Sequence, residues 1–180
     1  LRAEKQFGDV GFHSQRVLIL HCGGSSVRMP HCSAFGKVFA PLPVELTAGR
    51  PSTILDENLM LLHGYAAQIQ AGVIAVSGDV LPALDPSQAA FHSDRVSVVT
   101  TAAPPAVGEG HGVFLAEKPS GRVRRVLQKY APECLARAGA VDATGQVLID
   151  TGIFYFPPDV THMLRDEVRD SDSPLGRALT

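Results

Sequence analysis

The chain has 180 residues, of which 45% are apolar, and 16 Lys and Arg residues against 18 Asp and Glu give a net charge of -2 at pH 7. This apolar content predicts one buried core, and therefore a single globular domain over residues 1–180. The charge balance leaves no basic stripe for a nucleic-acid backbone, and no apolar run approaches the roughly 18 residues of a membrane helix.

The ends of the chain and its cysteines add two expectations. Residues 1–6 lack the charged-then-apolar order of a signal peptide, so we expect a cytoplasmic protein with its three cysteines reduced. The sequence begins without Met and stops at Thr180 without an obvious terminal signal. We therefore expect a piece of a longer protein.

The first half of the chain predicts the order strand, helix, strand. Residues 17–20 form an apolar run that is typical of a strand buried on both faces, and two glycines follow it. Thr53 predicts the N-cap of a helix. The apolar residues of that helix recur at helical spacing: Leu55, Leu59 and Leu62. Residues 72–79 then predict the next buried strand.

The second half predicts a strand, a hairpin, a short helix and a final strand. Residues 96–100 are a strand candidate, and the apolar stretches within 112–127 flank a turn at Pro119-Ser-Gly121. Pro and Gly bracket a helix over residues 132–139, and residues 147–156 form a strong strand pattern.

Strands that alternate with helices predict an α/β fold with a mixed, mainly parallel sheet flanked by helices. Sheets of this kind bind ligands beyond the carboxyl ends of their strands. The loop that begins at Gly23 and the carboxylate of Asp79 both follow predicted strands, so both are candidates for a ligand site.

The loop after the first strand carries the residue types of a phosphate site. It combines two glycines, two hydroxyl side chains and two cations: Gly23, Gly24, Ser25, Ser26, Arg28 and Lys37. Glycines let backbone N–H groups approach a phosphate closely, and the cations neutralise its charge. The spacing matches neither a Walker A loop nor a GxGxxG fingerprint. Gly23-Gly24 is equally compatible with a simple tight turn.

The order Gly23-Gly24, Arg28-Met-Pro30 and Gly36-Lys37 resembles the signature of sugar nucleotidyltransferases. The whole loop, from His21 to Pro43, is similar to that of the L-fucokinase/GDP-fucose pyrophosphorylase family, with Cys22 where the family has Ser. Later segments within residues 111–153 resemble this family in the same order. The resemblance implies a Rossmann-like, GT-A-type fold, of which this chain is a fragment.

The resemblance also implies roles for the nucleotide side of the site. Gly23, Gly24, Ser25, Ser26 and Arg28 would hold the nucleotide phosphates. Lys37 would reach the α-phosphate or the leaving pyrophosphate, and Asp79 would bind Mg²⁺. Arg28, Lys37 and Asp79 are then the catalytic residues. Asp79 is also compatible with a simple turn cap after a strand.

The sugar-phosphate side is implied in the same way. It comprises six residues of the second half: His111, Gly112, Lys129, Asp150, Thr151 and Gly152. Gln128-Lys129 is the counterpart of the Glu-Lys-Pro motif of better-known relatives, because Glu117-Lys118-Pro119 lies too close to Gly112 and at a predicted hairpin tip. Lys129 as a solvated surface lysine and residues 108–112 as a plain loop remain open alternatives.

The activity implied by the family is transfer of GMP from GTP to L-fucose 1-phosphate, with a sugar kinase module expected on the same parent chain. A nucleotidyltransferase with another sugar or base remains an alternative, because the phosphate apparatus is shared. A non-catalytic module that binds nucleotide sugars is a second one, because no second metal-binding carboxylate is identified in the sequence.

Overall fold

The computed structural model describes residues 14–22, 29–46, 49–170 and 173–174. The chain divides into two compact units, residues 1–97 with 154–180 and residues 98–153. The elements are β1 Arg16–His21, β2 Pro41–Glu45, β3 Pro51–Thr53, α1 Ile54–Ala66, β4 Gly72–Ser77, β5 Ser97–Ala103, α2 Pro105–Gly108, β6 Gly112–Ala116, β7 Val123–Gln128, α3 Pro132–Arg137, β8 Val147–Phe156 and α4 Pro158–Arg169.

The predicted strands at residues 17–20 and 72–79 are β1 and β4, and they pair in parallel from Arg16↔Gly72 to His21↔Ser77. The burial of β4 is as expected for its Val and Ile side chains. The expected burial of β1 on both faces is wrong, because Leu18 is 41% and Ile19 50% exposed. In the part of the chain that is described, β1 ends the strand order and pairs only with β4.

Helix α1 begins where the sequence predicts. The hydroxyl of Thr53 accepts a hydrogen bond from Asp56 N, and the Asp56 carboxylate accepts one from Thr53 N, which completes a capping box. Of the three leucines at helical spacing, Leu62 is buried and Leu55 half-buried, whereas Leu59 is exposed. The buried face instead consists of Ile54, Asn58, Leu62 and Tyr65. Because Asn58 is polar, the pattern of apolar residues in the sequence does not reveal this buried face.

Three elements of the first unit, β2, β3 and α4, are absent from the sequence prediction. Strands β2 and β3, which lie between β1 and α1 in the sequence, form a small antiparallel sheet. They do so although prolines occupy three of their positions. Helix α4 follows Pro157 and has no fully buried side chain. Its apolar residues nevertheless recur at helical spacing, at Val160, Met163, Leu164 and Val168, so this periodicity is a signal that the sequence prediction missed.

The second unit contains the predicted hairpin, helix and final strand. β6 pairs antiparallel with β7 and with β8, and β5 pairs with β8. Helix α3 ends before Gly139, which has a φ of 74°. One face of these strands packs against the helices in a core of Ala103, Val113, Leu127, Leu135, Ala140, Val147 and Ile149.

The prediction of a mixed α/β fold with a sheet flanked by helices is confirmed, since parallel pairing joins β1 to β4 and antiparallel pairing joins β6 to its neighbours. The mainly parallel character, the GT-A type and the single domain over residues 1–180 stay predictions. No helix in the described ranges has the length and apolar character to cross a membrane.

We predict that Leu135→Ala lowers the free energy of unfolding by about 2–5 kcal/mol, because a fully buried leucine leaves a cavity when it is truncated. Urea unfolding followed by circular dichroism measures the change. Val126→Ala is the control, since Val126 is 52% exposed and its truncation should cost less than about 1 kcal/mol. Equal losses in the two variants would contradict the assigned core.

Candidate functional site

Lys37 lies at the start of a short 3₁₀ turn, directly after Gly36. Gly36 has a φ of 83°, a value that side-chain-bearing residues rarely adopt. Val38, the next residue after Lys37, is buried, and Ala40 accepts a hydrogen bond from the first amide of α1, Ile54 N, at 3.2 Å. Burial of Val38 and the bond to α1 fix this turn, and the Lys37 ammonium group projects from it.

Asp79 lies just beyond the carboxyl end of β4, as predicted. Between it and the strand, Gly78 donates from its N–H to the carbonyl of His21 at 3.0 Å. A Cβ added to Gly78 would lie 2.9 Å from Cys22 Sγ and 3.2 Å from the His21 carbonyl oxygen. The loop that carries Asp79 therefore packs directly against the end of β1.

Lys37 and Asp79 form an ion pair. Lys37 Nζ donates to Asp79 Oδ2 at 2.9 Å, and Ser77 Oγ donates to Asp79 Oδ1 at 2.9 Å. The Lys37 side chain is 24% and the Asp79 side chain 41% exposed, so the pair remains open to solvent. The hydrogen bond from Lys37, followed by that from Ser77, lowers the pKa of Asp79 against a smaller opposing effect of burial.

The structure thus brings together two predicted residues that lie 42 positions apart. Sequence reasoning missed Ser77, whose only signal is its position two residues before a candidate aspartate at a strand end. The other predicted nucleotide-binding residues lie outside the described residues: Gly23, Gly24, Ser25, Ser26 and Arg28. Their roles stay predictions.

The second unit places three residues side by side on neighbouring strands. Gly112 on β6 pairs with Gln128 on β7, and the pairing of Val113 with Ile149 brings Asp150 of β8 to the other side of Gly112. A Cβ on Gly112 would lie 3.0 Å from Gln128 Oε1 and 3.7 Å from Asp150 Cβ. A side chain at this position would therefore crowd Gln128, so the glycine lets the Gln128 amide lie close to the backbone of β6, with Asp150 on the other side.

His111 and Lys129 lie at the same end of β6 and β7. Lys129 N donates to the His111 carbonyl at 3.2 Å, and Lys129 has a φ of 55°, which is uncommon for a residue with a side chain. Both side chains are exposed. Lys129 is thus held in an unusual backbone conformation next to Gln128, the residue that pairs with Gly112.

The predicted Asp150-Thr151-Gly152 segment is a local irregularity within β8. Gly152 has a φ of 75°, and its N–H donates to Asp150 Oδ1 at 2.6 Å. Thr151 is buried, and its hydroxyl donates to the Val99 carbonyl at 2.6 Å. Asp150 lies next to Gly112, whereas the Thr151 hydroxyl forms a hydrogen bond to β5, the strand that pairs with β8.

The Glu117-Lys118-Pro119 segment lies in the turn between β6 and β7, as predicted. Glu117 N donates to the Arg122 carbonyl, and Lys118 is 81% exposed with its Nζ 3.9 Å from Asp142. This segment is therefore remote in register from Gly112, which pairs with the opposite end of β7. The geometry favours Gln128-Lys129 over Glu117-Lys118 as the pair next to Gly112.

Asp79 is the candidate metal ligand. Among the residues with assigned positions, no three His, Cys, Asp or Glu side chains form a cluster that could hold a metal. Mg²⁺ does not need one, because it commonly binds one or two carboxylates and completes its shell with water and substrate phosphates. Each Asp79 oxygen accepts one hydrogen bond and retains a further lone pair. Asp79 therefore fits Mg²⁺ as a single carboxylate.

The family model described as a fucose pyrophosphorylase domain matches residues 9–175. The chain is 33% identical over 154 residues to a bifunctional fucokinase/GDP-fucose pyrophosphorylase of Arabidopsis thaliana, a match that covers 78% of this chain and 14% of that protein. Two proteins named fucose-1-phosphate guanylyltransferase match at lower coverage. The mouse protein is 31% identical over 58% of this chain, and the human protein is 29% identical over 62%; each match covers 18% of the relative. The chain thus spans less than a fifth of the length of these relatives.

We predict that Lys37→Met raises the pKa of Asp79 toward its ordinary value and lowers the free energy of unfolding at pH 7 by less than about 1 kcal/mol, because the pair is exposed. A lowered carboxyl pKa adds stability above about pH 4 and loses it as the pH falls through that pKa. The difference between variant and wild type should therefore shrink below pH 4. Carboxyl ¹³C NMR titration and urea unfolding check both parts, and an unchanged pKa of Asp79 would contradict the ion pair.

Proposed function

Because the chain belongs to the fucose pyrophosphorylase family, we propose that it transfers GMP from GTP to L-fucose 1-phosphate, giving GDP-L-fucose and pyrophosphate. The observation that carries the proposal is the Lys37–Asp79 pair beside the end of β1, where the predicted phosphate loop begins. A cation and a carboxylate at the carboxyl ends of parallel strands suit a nucleoside triphosphate with its metal. The names of the mouse and human relatives supply the guanylyl group and the sugar phosphate.

The proposed reaction is a single in-line displacement at phosphorus. An oxygen of fucose 1-phosphate attacks the α-phosphorus of GTP, a new P–O bond forms, and the bond to the bridging oxygen breaks with its electron pair leaving on pyrophosphate. The sugar phosphate is largely ionised at neutral pH, so no general base is needed. The protein therefore contributes orientation and charge neutralisation.

Lys37 is the residue with the most direct role in this proposal. Its ammonium group would neutralise charge on the α-phosphate or on the leaving pyrophosphate. Arg28 and the amides of Gly23 and Gly24 would hold the remaining phosphate oxygens. A Mg²⁺ ion bound at Asp79 would supply further charge neutralisation to the triphosphate.

The residues around Gly112 are proposed to bind fucose 1-phosphate. The Gln128 amide and the Asp150 carboxylate lie on either side of Gly112, and both groups bind sugar hydroxyls well. Lys129 and His111 are proposed to bind the sugar phosphate. A sugar kinase module in the same protein remains part of the proposal, which the bifunctional name of the Arabidopsis relative supports.

We predict that the chain releases pyrophosphate from GTP only when MgCl₂ and L-fucose 1-phosphate are both present. Arg28→Ala, Lys37→Ala and Asp79→Asn should each reduce the rate by ~10²-fold or more. The first two remove a cation from the transferring phosphate, and the third removes the carboxylate proposed to hold Mg²⁺. A coupled pyrophosphate assay measures the rate, with UTP, ATP and other sugar 1-phosphates as competitors.

The mouse relative serves as the positive control in this assay. If the chain turns over another nucleotide or another sugar phosphate instead, the proposed substrate would be wrong and the proposed site would stand. Binding of GDP-fucose without turnover, with the mouse enzyme active, would favour a nucleotide-sugar-binding module.

We predict that Lys129→Ala raises the KM for fucose 1-phosphate at least ~10-fold, because it removes a charged group from the proposed phosphate contact. Lys118→Ala is the matched control, since Lys118 is an exposed lysine of the same hairpin at its opposite end. Steady-state kinetics at saturating GTP separate the two. A larger effect of Lys118→Ala would assign the sugar phosphate to the Glu117-Lys118-Pro119 turn.

A further inference from the structure

The presence of an asparagine at position 58 is not explained by the packing of helix α1. Its side chain is completely buried on the face that otherwise carries Ile54, Leu62 and Tyr65. Its Oδ1 atom is buried without a hydrogen-bond partner in the described part of the chain. A buried acceptor left unpaired costs about 1–3 kcal/mol, and asparagine is a poor helix former. An apolar residue would serve the helix better.

The two N–H groups of the Asn58 amide are both used. Nδ2 donates to the Ile54 carbonyl at 2.9 Å and to the Val80 carbonyl at 3.1 Å. The second bond crosses from α1 to the loop after β4, 22 positions away in sequence. Val80 follows Asp79 directly, so the bond fixes the Val80–Leu81 peptide group, one residue beyond the candidate metal ligand.

The same helix also holds the turn that carries Lys37. Ile54 N, at the start of α1, donates to the Ala40 carbonyl at the end of the 3₁₀ turn Lys37–Phe39. One helical turn later, Asn58 holds Val80. A single rigid element therefore bonds to both segments whose side chains meet in the Lys37–Asp79 pair.

We infer that Asn58 is a positioning residue: through Val80 it holds the Asp79 carboxylate where Lys37 Nζ reaches it at 2.9 Å. This role also explains the unpaired Oδ1 atom. The position requires a side chain with two N–H donors, and an amide that supplies them also carries an oxygen acceptor. The catalytic significance of the placement rests on the proposed function, whereas the placement itself does not.

The test replaces Asn58 without opening a cavity. Asn58→Leu keeps the branched shape of the side chain in a larger volume, removes both donors and removes the orphaned acceptor. The readout is the Lys37 ammonium signal in a ¹H–¹⁵N correlation spectrum of the whole chain, which is observable while Asp79 protects the ammonium protons from exchange with water. We expect this signal to be lost in Asn58→Leu while circular dichroism shows a folded chain.

Leu62→Ala is the matched control on the same buried face, since Leu62 is 4% exposed and contributes no hydrogen bond to the Asp79 loop. It should destabilise the chain and keep the ammonium signal. Asn58→Ser retains a single donor and should keep part of the signal; it also replaces Asn58→Leu if that variant fails to fold. A full signal in Asn58→Leu, or its equal loss in Leu62→Ala, would overturn the inference.

Steady-state kinetics test whether the position of Asp79 matters for the proposed reaction. Displacement of Asp79 should lower kcat between about 10- and 100-fold in Asn58→Leu, because misplacement by about 1 Å has effects of this order. The KM for fucose 1-phosphate should stay within about twofold, because Asn58 lies outside the proposed sugar site. An inactive wild-type chain would contradict the proposed function, and the ammonium signal would still decide the role of Asn58.

Discussion

The parallel pairing of β1 with β4 is the constraint on which the nucleotide end of the site depends. Because His21 pairs with Ser77, the chain leaves both strands at the same edge of the sheet. The bond from Gly78 N to the His21 carbonyl then joins the two departing segments. Asp79 is thereby placed next to the residue from which the predicted phosphate loop continues. Helix α1 adds the Lys37 turn to this edge through its first amide.

The residues proposed to bind the sugar, which lie in the second unit, are brought together by a different feature of the fold. Gly112, Gln128 and Asp150 meet because they are neighbours across three antiparallel strands, so register rather than strand termination places them. This arrangement places two polar groups on either side of Gly112, whereas Lys37 and Asp79 form an ion pair. Under the proposed reaction, the polar groups would bind sugar hydroxyls and the ion pair would bind the triphosphate with its metal.

Much of the fold follows from local patterns in the sequence. Apolar runs locate β4 and β8, the Thr53 cap locates α1, and the turn at Pro119-Ser-Gly121 locates the hairpin. The exposure of β1 is not predictable in this way, because a run of aliphatic residues does not say which faces are covered. The buried face of α1 was missed for a related reason, since Asn58 stands where the pattern requires an apolar residue.

The candidate site is less accessible to pattern reasoning than the fold. Residue type and position at strand ends single out Asp79 and the loop before Lys37, but nothing in the spacing predicts that these two side chains meet. Their assignment came from the family resemblance, as did that of Asp150 and Lys129. Ser77 and Asn58 have no such signal, because their importance lies in hydrogen bonds that only the folded chain forms.

The tripeptide Ser77-Gly78-Asp79 combines three separate requirements in consecutive positions. Ser77 supplies a hydroxyl to the carboxylate, Gly78 has no space for a β-carbon, and Asp79 supplies the charge. These requirements differ in what they depend on: the Ser77 hydroxyl bonds to the Asp79 carboxylate, whereas Gly78 is required by the backbone and side chain at the end of β1. Loss of the carboxylate would therefore release Ser77 from constraint and leave Gly78 as tightly constrained as before.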